Sequence, residues 1–136
     1  MNYFLWISIL FLAGLANLAY GVAELKEFLK YHSSISSTMD MGHFKKMVRK
    51  QMYLALAQIV ILGCMALLSI IGILTGAISD TQFLLVLLMD GIIWFAGKLF
   101  KSLEKRAQNL KVEALEHRAE YTSICATWVR KPFPDF

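Results

Sequence analysis

Three stretches of the chain, Tyr3 to Ala23, Tyr53 to about Ala77 and Gln82 to about Lys98, are apolar almost without interruption. Each approaches the roughly 20 residues that an α-helix needs to cross a ~30 Å hydrocarbon layer. Past Ala23 the apolar spacing persists through Leu25, Phe28 and Leu29, so the first helix is expected to run on beyond the membrane until the serine run from Ser33 to Ser37 interrupts it. Thr38 or Asp40 can then cap a basic amphipathic helix, with Phe44, Met47, Val48 and Met52 on one face and Lys45, Lys46, Arg49 and Lys50 on the other. Ser79 followed by Gln82 has the spacing of a capping box at the start of the third span.

From Phe100 the pattern changes to alternating steps of three and four: Leu103, Ala107, Leu110, Ala114, His117, Tyr121, Ile124 and Trp128. That repeat predicts a helix burying a narrow seam against another helix, as in a coiled coil. The third span and the seam together read as one helix from Gln82 to Trp128, starting in lipid and ending in water. Pro132 and Pro134 end it, leaving an aromatic tail that should dock on a neighbouring subunit or fold back on the Glu24 to Lys50 region. The expected fold is therefore all-α and integral to the membrane, with three transmembrane helices, the third continuing into a long cytosolic coiled-coil-like helix. Its segments are 1–31 (first span with a cytosolic extension), 32–52 (linker and basic segment), 53–78 (second span), 82–100 (third span) and 101–136 (cytosolic helix and tail).

Charge sets the orientation. Of 14 Lys and Arg residues, six fall between Lys26 and Lys50, eight fall from Lys98 onward, and none lies on the other side of the spans. Basic flanks stay in the cytosol, so the N-terminus is expected outside and the C-terminus inside a bacterial plasma membrane. The first stretch lacks a basic flank and a strong cleavage site, which favours a retained span over a signal peptide. Lys45, Lys46, Arg49 and Lys50 suit anionic lipid headgroups better than nucleic acid, because an ordinary positive-inside flank explains them.

Within the spans, Gly14, Asn17 and Gly21 share one face of the first helix, and Gly72 and Gly76 form a small-xxx-small pair in the second; both arrangements favour close helix packing. Asp90 is the one acid inside a span, roughly 10 Å from the span's outer end. An ionised carboxylate at that depth costs at least ~2.5–3.5 kcal/mol, so it should be neutral, face a polar cavity, or meet another protein group, Ser69 being a candidate within the chain. No Lys, Arg or His in the spans can pair with it.

No phosphate-binding loop, nucleophile triad, acid pair or haem-ligating histidine is present, and the two cysteines and three histidines lack metal-site spacing. An enzyme, a cofactor, a metal site and a small-molecule substrate are therefore not expected. The primary reading is a non-catalytic membrane subunit that assembles through its spans and cytosolic helix, as a homo-oligomer or as part of a larger membrane complex. Two other readings share the layout: a proton- or cation-conducting oligomer built on Asp90, and a holin-like membrane-permeabilising protein.

Overall fold

A computed structural model describes every residue from Met1 to Phe136. It contains four helices, α1 (Tyr3–Tyr31), α2 (Thr38–Leu74), α3 (Asp80–Gln108) and α4 (Leu115–Arg130), and two short strands, β1 (Ser34–Ile35) and β2 (Lys111–Val112). The first three helices are long and apolar enough to cross a membrane. One end of the molecule is thus an apolar three-helix unit, and the other is a polar unit built from the ends of those helices together with α4.

Local chemistry sets the boundaries. Ser37, and neither Thr38 nor Asp40, is the N-cap of α2: its hydroxyl accepts the Asp40 N–H at 3.1 Å, and the Asp40 carboxylate accepts the N–H groups of Ser36 and Ser37. From there α2 continues for 37 residues, about 55 Å, so the basic segment and the second span are one unbroken helix. At its far end Gly76 takes a positive φ of 68°, and the N–H groups of Ala77 and Ile78 return to the Gly72 carbonyl. That closure satisfies a terminal carbonyl of α2 and turns the chain into α3. Ser79 and Gln82 form the reciprocal capping box that starts α3.

In the apolar unit, α1 packs along both α2 and α3, whereas α2 and α3 touch each other only sparingly. Its core is small, with Ile7, Met65, Ile78, Val86 and Ile93 buried together. The larger core lies in the polar unit, where Leu25, Phe28, Ile35, Phe44, Val48, Ala107, Val112, Tyr121, Ile124 and Trp128 close on one another. β1 and β2 pair in parallel, Ser34 with Lys111 and Ile35 with Val112, and stitch the two connecting loops together.

One expectation fails. The helix read as continuous from Gln82 to Trp128 stops at Gln108, and the chain turns back through β2 before α4 begins. The Tyr121 hydroxyl donates to the Ala107 carbonyl at 2.6 Å and accepts the Leu110 N–H at 3.0 Å, capping the end of α3 with a side chain from α4. The three-four repeat is present, but it belongs to the inward faces of two helices, α3 packed on α1 and α4 packed on α2, that share the chain's own core. Ala107, Tyr121, Ile124 and Trp128 are buried in the polar core and Leu103 and Leu110 pack against it, so these six are covered within the chain. The two remaining seam positions differ: Ala114 is the N-cap of α4, and His117 is half-buried, with Nε2 3.5 Å from the Thr38 hydroxyl.

Candidate functional site

The apolar unit contains five polar side chains that bear on function: Asn17, Gln51, Gln58, Ser69 and Asp90. Three of them bond to backbone carbonyls, and a fourth, Gln58, is held through the Asn17 side chain. Asn17 on α1 donates from Nδ2 to the Leu54 carbonyl and to Gln58 Oε1 on α2, both at 2.9 Å. Gln51 Nε2 donates to the Gly21 carbonyl at 3.1 Å, and the Ser69 hydroxyl donates to Met65 of its own helix at 2.8 Å. Ser69 therefore spends its hydroxyl on the preceding turn and not on Asp90.

The glycines permit this closeness. A Cβ on Gly14 would stand 3.2 Å from Gln58 Nε2, and one on Gly21 would stand 2.8 Å from the Phe100 ring. At Gly72 a side chain would collide with Ile78. Gly76 faces open space and serves the turn through its φ, so Gly72 and Gly76 do not form a joint packing stripe.

Asp90 differs from the other four. Its side chain is exposed on the outer surface of α3 and makes no hydrogen bond or ion pair within the chain. It sits ten residues after the start of α3 and eight before Lys98, about 15 Å and 12 Å along the axis, which places it near the middle of the apolar stretch. The side chains beside it on this surface are Leu87 and Trp94, each at least half exposed, and the adjoining Gly91 has open space beside it. The nearest cation along the helix, Lys98, instead lies over the Trp94 ring at 3.7 Å.

A groove of about 290 Å³ runs between α2 and α3, with α1 as its floor. Asn17 and Leu18 line the floor, Ala55 and Ile59 one wall, and Gly97 and Lys101 the other. Glu104 closes its polar end, and burial pushes that carboxyl above the ordinary glutamate value.

Of the basic group Lys45, Lys46, Arg49 and Lys50, three are engaged within the chain. Lys45 pairs with Glu120 on α4, Lys50 lies 2.9 Å from Glu24, and Arg49 holds the carbonyl oxygen of Phe136, whose ring also faces the guanidinium at 5.8 Å. The hydrogen bond from Lys50 holds Glu24 below the usual glutamate range. Lys46 makes no ion pair, and it lines an open cleft of about 340 Å³ with Glu24, Glu27, His32 and His43. The aromatic tail folds back on α2 through Phe136, while Phe133 stays exposed.

Sequence reading overlooked Gln51 and Gln58 because neither carries charge. Their signal was the seven-residue spacing Gln51, Gln58, Met65, Gly72, all four of which are buried on one face of α2. His32, one of the histidines without partners in the sequence spacing, stacks on Phe28 and stands 3.3 Å from His43 and 3.6 Å from Asp40. No group of three or more His, Cys, Asp or Glu side chains is arranged to hold a metal ion. No family model, curated protein or solved structure matches the chain.

Proposed function

We propose that the protein is a non-catalytic integral membrane subunit, with the turn at Gly76 outside and the polar unit in the cytosol, that assembles with further membrane-protein chains through the Asp90 surface of α3. The cytosolic placement rests on the 14 basic residues, which all flank the polar end. The observation that carries the reading is Asp90 itself. A carboxylate near mid-membrane with no partner in its own chain, flanked on its face by exposed Leu87 and Trp94, is unfavourable against lipid and becomes favourable once another helix covers it with a polar partner. Assembly through the polar unit has less support, because most of the three-four seam is consumed by the chain's own core.

Native mass spectrometry of the protein released from native-lipid nanodiscs tests this. The wild type should leave the membrane with additional protein chains at fixed ratio, and Asp90→Leu should leave as a single chain with the same helix content and melting temperature. A single-chain wild type, or an unchanged assembly in Asp90→Leu, would refute the proposal.

A second reading, an ion-conducting oligomer, is favoured by one observation: Asn17, Gln58, Lys101 and Glu104 line the groove on the same side of α3 as Asp90. Proton flux into vesicles that is lost in Asp90→Asn with assembly intact would select it.

A further inference from the structure

We infer that the chain covering Asp90 is a different membrane protein whose helix carries a Lys or Arg at mid-membrane depth and lies in the groove between α2 and α3. The inference rests on the assembly reading above and names the partner's chemistry.

Helical register connects Asp90 to the groove. Gly97 and Lys101 follow it by seven and eleven residues; at about 100° per residue these fall within roughly 20° of Asp90, one on either side. Both line the wall that α3 contributes. The opposite flank of α3, where Ala96, Leu99 and Leu103 border a separate hollow against α1, points elsewhere. A helix lying between α2 and α3 would run past Gly97, beside which nothing stands within 4 Å, and reach Asp90 about 10 Å further along. The sparse contact between α2 and α3 leaves that approach unobstructed.

Charge complementarity selects the occupant. A second copy of this chain brings no Lys, Arg or His between Tyr3 and Ala23, Tyr53 and Ala77, or Gln82 and Gly97, so a homodimer would set Asp90 against neutral groups or another Asp90 and leave its charge uncompensated. The chain's own Lys98 and Lys101 are two and three turns away, and Lys98 is held over Trp94. A basic side chain from a foreign helix neutralises the carboxylate in the medium where an ion pair is least screened.

The probe is a synthetic 23-residue Leu/Ala transmembrane peptide with one central Lys, compared with an all-apolar version and with one whose Lys lies near an end. Binding to the labelled full-length protein in phosphatidylcholine vesicles is read by energy transfer. The central-Lys peptide should bind about tenfold more tightly than either control, and Asp90→Asn and Asp90→Leu should each erase that preference. Asp90→Lys should reverse it toward a central-Asp peptide. Thermal melting of each variant verifies the fold, and the charge swap keeps the test decisive if one variant is unstable. Equal binding of all three peptides, or full retention of the preference in Asp90→Asn, overturns the inference. If native mass spectrometry still finds Asp90-dependent partner chains, only the basic-partner inference falls; if it finds none, the assembly reading falls with it.

Discussion

The Tyr121 hydroxyl stands 2.6 Å from the Ala107 carbonyl and bridges it to the Leu110 N–H, so a side chain of α4 supplies the cap that ends α3. This contact, together with the apolar core around Tyr121, holds the seam folded inward. Without it, two backbone groups at a part-buried helix end would lack partners.

Tyr121→Phe keeps the ring against Phe44, 4.8 Å between centroids, and removes only the hydroxyl. The expected loss is about 1–3 kcal/mol, the cost of leaving a buried donor and acceptor unmade. Thermal unfolding in detergent should show a lower melting temperature, and hydrogen exchange should speed up at Leu110 with little change in the middle of α2.

The Asn17–Gln58 hydrogen bond joins α1 to α2 within the apolar unit. Asn17→Leu also strands the Leu54 interaction, so it should destabilise more than Gln58→Leu. A double-mutant cycle should return a coupling of about 0.6–2 kcal/mol, in the range of interhelical hydrogen bonds in membranes.

Gly21→Ala places a methyl 2.8 Å from the Phe100 ring and 3.3 Å from Gln51 Oε1. Phe100 must rotate or α3 must move away, and overpacking of this kind costs about 1–3 kcal/mol. Gly63→Ala meets open space and should be close to neutral. Melting temperatures of the two variants, measured side by side, check the difference.

Two glutamates give opposite pH signatures. Glu24 is held below its ordinary value, first by the Lys50 hydrogen bond, so the stability it contributes is present above about pH 4 and is lost as the pH falls through its depressed value. Glu104 is raised by burial, so its stability is greatest when protonated and is lost as the pH rises through the elevated value. Glu24→Gln should therefore flatten the acid limb of the stability profile, whereas Glu104→Gln should raise the melting temperature at neutral pH with the gap closing toward pH 4.

The sequence made some of this visible and hid the rest for physical reasons. Three helices able to cross a membrane were legible because about 20 apolar residues in a row have few other uses. The Ser79–Gln82 capping box was legible because its chemistry is local. The turn at Asn109 was not, because a three-four repeat specifies that a face is buried without saying what buries it; here it joins a core with Leu25 and Phe28 of α1 and Phe44 and Val48 of α2, all in the same chain. The change at Tyr53 from amphipathic to fully apolar resembled a boundary, yet α2 runs through it unbroken. Asp90 was conspicuous as a lone acid, but its exposure and its register with Gly97 required the structure.

The claim that α3 is covered around Asp90 is tested most directly by site-specific photo-cross-linking in intact membranes. A photo-reactive amino acid at Leu87, one turn from Asp90, should yield a discrete protein adduct that disappears in Asp90→Leu. The same group at Val60 or Leu67, exposed on α2, should label only lipid. Lipid-only labelling at Leu87, or an adduct that persists without Asp90, would contradict the account.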